Sequence, residues 1–219
     1  VHLPQGGISV SDYPLITYTD GREVQQYREF GGSNQTEVQI QILDEEGLYP
    51  LLDDLLHTEG VVGIIVNTVR KAQKLALQCS EHFGPAVVEV LHSGFIASER
   101  VKKENNLLQM IGKGVTRPAR KIIIGTQVIE QSLDIDFDVL ITDLAPMDLL
   151  IQRIGRLHRH KNNRPEQHKN PVVYVMGLNE DLDFEPGSSA VYSPYILART
   201  QHYLPHRIFL PSDISDLVQ

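Results

Sequence analysis

Residues 61–92 read VVGIIVNTVRKAQKLALQCSEHFGPAVVEVLH. The stretch opens with a continuous apolar run, which is typical of a strand that is buried on both faces. Apolar residues then recur at helical spacing up to Phe83, and a second short apolar run follows. A strand, a helix and a strand in this order predict a βαβ unit, in which the two strands are parallel and the helix covers the sheet.

The same alternation continues towards both ends of the chain. Residues 36–43, TEVQIQIL, alternate polar and apolar side chains as a half-buried strand does, and a leucine-rich helix follows. Further helices are predicted at 97–112 and 147–157, and further strands at 121–126, 138–142 and 171–176. The predicted fold class is therefore α/β, with a mostly parallel sheet that helices cover on both faces.

Composition divides the chain into three regions. Residues 1–35 are rich in Gly, Pro, Tyr and polar residues, which predicts an irregular lead-in with a short strand at YPLITYT. Residues 36–178 carry the α/β pattern. Residues 179–219 lose that pattern in a segment rich in Pro, Gly, Ser and Tyr, for which we predict an irregular tail.

The totals restrict the classes of partner. A net charge of −8 argues against a protein that coats nucleic acid through bulk positive charge, so any such contact must be local. The single cysteine permits no internal disulfide, which favours a reducing cytosol. No apolar run approaches the roughly 20 residues that cross a bilayer, so we expect no membrane partner. The first residue is Val rather than Met, which indicates a processed product or a fragment.

Polar residues follow several of the predicted strands. Because ligands of parallel sheets gather at the carboxyl ends of the strands, these positions are candidates for binding. They are Asn67, Thr68, His92, Ser93, Thr126, Gln127 and Asp143. Small hydroxyl and amide groups suit contacts to a phosphate backbone, which position a nucleic-acid strand without reading its sequence. The alternatives are helix caps and turns for the hydroxyls and amides, and a packed side chain for the histidine.

Residues 150–160, LIQRIGRLHRH, concentrate three arginines and two histidines without an acid. On a helix, the apolar side chains share one face, and an amide and two guanidinium groups share the opposite face. The apolar residues are Leu150, Ile154 and Leu157; the polar ones are Gln152, Arg156 and Arg159, with Arg153 between the faces. One interpretation is a solvated face that pairs with the aspartates between residues 134 and 143. The other is an anion site, because arginine forks suit phosphate oxygens.

QRIGRLHR, at 152–159, resembles the sixth motif of superfamily 2 helicases, of the form Q/H-R-x-G-R-x-x-R. Three further segments resemble earlier motifs of that superfamily, in the right order along the chain. They are GIIVNTVRKAQ (63–73), like the fourth motif, LHSGFIASER (91–100), like the DNA-contacting motif after it, and GTQVIEQSLDID (125–136), like the fifth. The combination implies the second RecA-like domain of a helicase core.

The resemblance narrows at residues 130–160, which are similar to the CRISPR-associated type I helicase–nucleases. Ser132, the DLAP stretch at 143–146 and the LHRH ending at 157–160 favour that family over DEAD-box RNA helicases, which usually have Gly in place of the serine. YPLITYTDG (13–21) resembles that family's linker between RecA-like domains, and HYLPHRIFLPSDISDLVQ at the end resembles the segment that leaves its helicase core. The resemblance covers nearly the whole chain.

The resemblance implies an ATP site that this chain completes from one side. Arg156 and Arg159 match the arginine fingers that meet the γ-phosphate, and Gln152 matches the residue near that phosphate and the attacking water. Asp134 matches the acid that hydrogen-bonds the ribose, and an aspartate in a surface turn is the alternative. Arg153 belongs to the same predicted ATP-binding set. The implied cofactors are ATP and Mg²⁺, with Mg²⁺ held mainly by a first RecA-like domain, and we expect no metal site in this chain.

Contacts to the backbone of single-stranded DNA are implied for the residues at the strand ends and on the helix after them. The matching positions are Asn67, Thr68, His92, Ser93, Arg100, Thr126 and Gln127. A basic loop also carries Lys113, Arg117, Arg120 and Lys121. That loop suits either DNA contact or exposure to solvent.

The chain lacks other parts of a complete enzyme. It has neither the G-x-x-x-x-G-K-[ST] phosphate loop nor the His-Asp dipeptide of the family's nuclease centre. We therefore expect the isolated chain to hydrolyse essentially no ATP. The implied partners are a first RecA-like domain and an HD nuclease domain of the same protein, single-stranded DNA, and the crRNA-guided surveillance complex (Cascade), in the prokaryotic cytoplasm.

The predicted function is that of the second motor domain of an ATP-dependent single-stranded DNA translocase in CRISPR type I interference. The resemblance implies 3′ to 5′ movement that unwinds target DNA and feeds it to the nuclease. Two alternatives stay open. One is half of another superfamily 2 DNA or RNA helicase, and the other is a RecA-like binding module without catalysis.

Overall fold

Seven strands form the main sheet of the protein in a computed structural model that describes residues 15–19, 21–27, 35–130 and 133–218. Two further strands form a separate sheet. In chain order, the strands of both sheets in these residues are β1 (Ile16–Thr19), β2 (Val24–Tyr27), β3 (Thr36–Leu43), β4 (Gly60–Ile65), β5 (Val88–Leu91), β6 (Arg120–Gly125), β7 (Val139–Asp143), β8 (Val172–Met176) and β9 (Arg207–Leu210). The main sheet has the order β5-β6-β4-β7-β8-β3-β9, and β1 and β2 form a separate antiparallel pair. All pairs in the main sheet are parallel except that of β9 with β3. The predicted mostly parallel sheet is confirmed.

Helices lie on both faces of this sheet. They are α1 (Leu48–Leu55), α2 (Val69–Phe83), α3 (Ala97–Ile111), α4 (Met147–Ile154), α5 (Pro186–Val191), α6 (Pro194–Tyr203) and α7 (Ile214–Val218). Alternate residues of β4 point to opposite faces, so Val62 and Ile64 pack with α1 and α2, whereas Val61 and Ile65 belong to the core that contains α3 and α4. The predicted coverage of both faces is confirmed.

Gly63 sits in the middle of the fully buried strand β4. A Cβ atom at this position would lie 2.6 Å from Cδ2 of Phe137, which is completely buried. The glycine therefore lets the Phe137 ring pack directly on the backbone of the central strand. This contact anchors the segment that leads into β7.

The helix predicted at 147–157 ends early. After Ile154 the backbone tightens into a turn, because the amides of Arg156 and Leu157 bond to carbonyl groups only three residues back. Gly155 opens this turn, and His158 takes the left-handed conformation with φ of 49°. Arg156 and Arg159 consequently lie in a loop after α4, and the prediction that they share a helical face with Gln152 is wrong.

The tail differs from the irregular segment that we predict for residues 179–219. Pro186 and Pro194 occupy the first turns of α5 and α6, where proline starts a helix, and β9 extends the main sheet. Phe184, Leu197 and Ile208 are buried in the main core, which supplies the apolar contacts that hold these elements. The boundaries of the three regions remain predictions.

Some predictions fall outside the described residues. These positions include residues 1–14, Asp20 and the motif residues Gln131 and Ser132. The predicted early strand is present at Ile16–Thr19. Among the described residues, none of the helices combines the length and the hydrophobicity that a membrane span requires.

Candidate functional site

The loop at residues 155–164, named here the arginine loop, brings two guanidinium groups close to one carboxylate. Arg159 Nε donates to Asp134 Oδ1 at 2.6 Å, and both side chains are nearly half exposed. Arg156 Nη2 donates to the carbonyl of Glu130 at 2.7 Å. Burial, followed by repulsion from Arg159, lowers the pKa of Arg156 below its ordinary value. The loop therefore holds two neighbouring cations that repel each other, and only Arg159 is paired with an exposed acid.

Two consecutive residues of the arginine loop, Arg159 and His160, contact the carboxylate of Asp134. The hydrogen bond from Arg159 lowers the pKa of Asp134, and His160 Nε2 lies 3.0 Å from the same oxygen. Gln152 is exposed in the last turn of α4, one turn before Arg156. The structure thus gathers the predicted fingers and the predicted ribose acid at one place, with the predicted water-orienting amide at the end of the adjoining helix.

Arg153 does not fit the predicted contact with ATP, because its side chain is completely buried. Its Nε atom donates to Glu130 Oε1 at 2.7 Å, and Nη1 donates to Thr142 Oγ1 at 2.8 Å. Nη2 donates to Asn67 Oδ1 at 3.1 Å. Burial raises the pKa of Glu130, and the charge of Arg153 opposes that rise. Arg153 therefore joins α4 to the strand ends from inside the protein.

Asn67 follows β4 and is buried with every polar group engaged. Its backbone amide donates to Asp143 Oδ2 at 3.0 Å, and its side-chain amide donates to the carbonyl of Leu144 and to Ser188 Oγ. Gln127 Nε2 in turn donates to the carbonyl of Asn67 at 3.0 Å. The side chain of Asn67 is thus occupied internally, which disagrees with a direct contact to DNA and fits a role in shaping the strand ends.

The remaining strand-end residues differ in exposure. Ser93 is exposed, whereas Thr126 is buried and its Oγ1 has no hydrogen-bond partner within the described residues. Thr68 caps α2 by accepting from the amide of Lys71 at 3.2 Å. His92 is buried, accepts from the amide of Gly94 and stacks on Phe95, and burial lowers its pKa. The cap and the packed histidine are the structural alternatives that the sequence leaves open.

Arg100 and the basic loop are only partly available to a ligand. Arg100 lies 3.5 Å from Glu104 along α3. Arg117 donates to Asp138 at 2.7 Å, and Lys121 donates to the carbonyl of Ala86 at 2.8 Å. Two cations of the predicted patch are therefore used inside the fold, and Lys113 and Arg120 remain exposed.

Sequence reasoning misses an ion network beside the strand ends. Lys71 Nζ lies 2.9 Å from Asp143, 3.2 Å from Glu185 and 3.3 Å from Glu45. Burial lowers the pKa of Lys71, but Asp143 and then Glu185 raise it well above its ordinary value. Glu185 lies in the region that we predict to be irregular, so no pattern in the sequence indicates that it meets Lys71.

Tyr192 is a second contribution of the tail to the strand ends. Its hydroxyl accepts from Gln127 Nε2 at 3.2 Å and from Arg153 Nη2 at 3.4 Å.

Among the described residues, no cluster of three or more His, Cys, Asp or Glu side chains is placed to hold a metal ion. That finding does not test the prediction that Mg²⁺ is held by another domain.

Comparisons with known proteins agree on one family. The family model described as CRISPR-associated nuclease/helicase Cas3, C-terminal, matches residues 58–162. A CRISPR-associated nuclease/helicase Cas3 of Streptococcus thermophilus is 58% identical over 212 residues, which are 97% of this chain and 23% of that protein.

Two solved structures have the same fold. T. fusca Cas3-ATP superposes with a TM-score of 0.85 at 28% identity, over 96% of this chain and 27% of its own. A chain of the structure described as CRISPR RNA-guided surveillance complex, pre-nicking, gives a TM-score of 0.78 at 28% identity, over 94% of this chain and 28% of its own. The chain thus spans about a quarter of the length of these relatives.

Proposed function

Because the chain belongs to the Cas3 family of CRISPR-associated nuclease/helicases, as a C-terminal helicase domain, we propose that it is the second motor domain of an ATP-driven DNA translocase. It would close over ATP that a first RecA-like domain holds. The single observation that carries this proposal is the pair of neighbouring guanidinium groups, Arg156 and Arg159, of which only Arg159 forms an ion pair, with the exposed carboxylate of Asp134. A second anion would relieve their repulsion.

The arginine loop fits a triphosphate. Arg159 is 40% exposed and its ion pair with Asp134 is open to solvent, so the pair is weak and can exchange partners. Nε of the half-buried Arg156 has no hydrogen-bond partner within the described residues. When bound, ATP supplies the phosphoryl bond that is broken. Mg²⁺ would be held mainly by the first RecA-like domain.

We propose three steps for the residues of this chain. Arg159 leaves Asp134 and, with Arg156, donates hydrogen bonds to the oxygens of the γ-phosphate as charge develops there. Asp134 becomes free to accept a hydrogen bond from a ribose hydroxyl. The exposed amide of Gln152 orients the attacking water. Arginine fingers of this kind accelerate related reactions by about 10³- to 10⁵-fold.

We propose that the strand ends grip the backbone of single-stranded DNA through their exposed groups. Ser93 is exposed, and Thr68, Arg100 and Gln127 are partly exposed. Four of the strand-end residues would support Ser93, Thr68 and Arg100 without touching DNA, because they are buried or already hydrogen-bonded. They are Asn67, His92, Thr126 and Gln127. Arg153 joins this cluster to α4 and thus lies between the DNA side and the arginine loop.

The partners follow from the relatives. A structure similar to this chain belongs to a CRISPR RNA-guided surveillance complex. We propose that the domain works when docked on such a complex, and that the remaining three quarters of the protein supply the first RecA-like domain and the nuclease. ATP hydrolysis would then move single-stranded DNA towards the nuclease.

The experiment is the steady-state ATPase rate of the intact protein with single-stranded DNA. We expect Arg156→Ala and Arg159→Ala each to lower kcat by about 10³-fold or more. Arg207→Ala is the matched control, because Arg207 lies on the edge strand β9, is exposed, and pairs with Glu37 on the neighbouring strand β3. If Arg156→Ala hydrolyses ATP as fast as the control, the arginine-finger assignment is wrong.

A further inference from the structure

Two buried aspartates beside the arginine loop form a cluster that the proposed function does not use. Asp136 is completely buried and Asp138 is 2% exposed, and they flank the buried ring of Phe137. Arg117 and Arg164 pair with them. We name these two aspartates and two arginines the carboxylate clamp. Its charges balance, so it does not compete with the loop for an anion.

Arg164 makes the most contacts in the clamp. Its Nη2 atom donates to both oxygens of Asp136, at 2.8 and 2.6 Å, and Nη1 donates to Asp138. Its side chain is 6% exposed, so these bonds lie away from solvent. Nη2 also donates to the carbonyl of His160 at 3.2 Å. A guanidinium fork held in this way has one orientation.

The clamp holds the backbone of the arginine loop directly. Asp136 Oδ1 accepts from the backbone amide of Arg159 at 2.9 Å, and Asp136 Oδ2 accepts from the side chain of Asn162. On the other side, the amide of Phe137 donates to the carbonyl of Arg156 at 2.9 Å. Both predicted fingers are therefore fixed at the main chain by one short segment.

That segment is itself tied to the centre of the sheet. Asp138 Oδ2 accepts from the amide of Val61, in β4, at 2.8 Å, and Phe137 packs on Gly63. His158, between the two fingers, is held at a φ of 49°, a conformation that persists only where the surroundings impose it. The loop is thus strained at His158 and clamped onto β4, a strand that is buried along its whole length.

We infer that Asp136 and Arg164 are positioning residues for the arginine fingers. This inference rests on the proposed function, since it concerns the same ATP site. Buried ion networks contribute little net stability compared with apolar packing, so a clamp of four charges is better explained by the geometry that it imposes. Positioning matters because a shift of about 1 Å in a catalytic group costs about 10²-fold in rate.

The test is the ATPase reaction of the intact protein with Arg164→Met. We expect kcat to fall by about 10²-fold, while KM for ATP and affinity for single-stranded DNA stay within about threefold. Arg164→Lys keeps the charge but loses the fork, so it should recover only part of the rate. Arg207→Met is the control and should hydrolyse ATP like the wild type.

The decisive comparison repeats Arg164→Met in an Arg159→Ala background. If Arg164 acts through Arg159, the second substitution costs little more, because residues that act as a unit are not additive. Losses that multiply in full, or an unchanged kcat for Arg164→Met, would overturn the inference. A wild-type rate for Arg159→Ala would instead overturn the proposed function.

A milder variant keeps the inference testable if Arg164→Met fails to fold. Asn162→Ala removes one hydrogen bond to Asp136 from a residue that is only partly buried. We expect kcat to fall by about 3- to 10-fold with an unchanged melting temperature, and a wild-type kcat counts against the clamp.

Discussion

Among the predicted site residues, the position of Arg153 differs most from the predicted contact with ATP. It is completely buried, and its guanidinium group reaches Glu130, Thr142, Asn67 and Tyr192. The motif identifies an arginine at this position, but its burial depends on contacts from three distant segments. A single sequence carries no signal for that. By contrast, Arg156 and Arg159 lie in an accessible cluster, as their spacing suggests. A turn after α4, rather than a helix, brings them together.

We expect Arg153→Met to lower the free energy of unfolding by about 3–5 kcal/mol, because it leaves the carboxylate of Glu130 buried without its partner. Urea unfolding of the chain, followed by circular dichroism, measures this. Arg207→Met, at an exposed ion pair, should change it by less than about 0.5 kcal/mol. A loss below about 1 kcal/mol for Arg153→Met would show that the buried pair matters little.

His158 makes the stability depend on pH. Burial, followed by the charge of Arg164, lowers the pKa of His158 to about 4. Between this value and the pKa of an unfolded histidine, about 6.5, the unfolded chain binds more protons than the folded one. Stability from this residue is therefore complete above about pH 6.5 and is lost as the pH falls towards 4.

His158→Asn should reduce this acid sensitivity, since asparagine tolerates the left-handed backbone and does not titrate. The shift corresponds to about 3 kcal/mol at full burial, and solvent around the half-buried ring reduces the expected effect to about 1–2 kcal/mol. Unfolding free energies at pH 7 and pH 4.5 give the comparison. Equal losses in both proteins on acidification would contradict the assignment.

Among the secondary-structure elements, the sequence predicts the buried strands of the sheet better than the end of helix α4 or the late strand β9. The strands β4, β6 and β7 are continuous apolar runs flanked by turns, and the structure places them within one residue or two of the predictions. The early end of α4 comes from a contact that no local pattern contains, because Leu157 bridges to Phe137. Strand β9 also could not be predicted from a local pattern, since its partner β3 lies about 170 residues earlier in the chain.

The edge strand β9 offers a test of the tail. Ile208 is fully buried, whereas its neighbour Phe209 points away and is 36% exposed. We expect Ile208→Ala to cost about 2–4 kcal/mol of unfolding free energy through the cavity that it leaves. Phe209→Ala, the matched control, should cost less than about 1 kcal/mol. Equal small losses would indicate that β9 is not part of the folded core.

At the scale of the whole molecule, the chain carries two polar regions joined by α4. The strand ends lie at one end of this helix and the arginine loop lies at the other, with Arg153 bonded to residues of both sides. The tail closes over the strand ends through Glu185, Ser188 and Tyr192. Motif order in the sequence predicts both regions, but the contribution of the tail depends on contacts more than 60 residues apart.

We propose that Arg156 and Arg159 act on a nucleotide held by a first RecA-like domain. Single-turnover hydrolysis of ATP bound to the intact protein tests it most directly, because it separates chemistry from nucleotide binding. We predict that Arg156→Ala slows this step by about 10³-fold or more, while its affinity for ATP changes by less than about tenfold and Arg207→Ala stays at the wild-type rate. A chemical step that runs at the same rate in Arg156→Ala and in Arg207→Ala would contradict the assignment of Arg156 as an arginine finger.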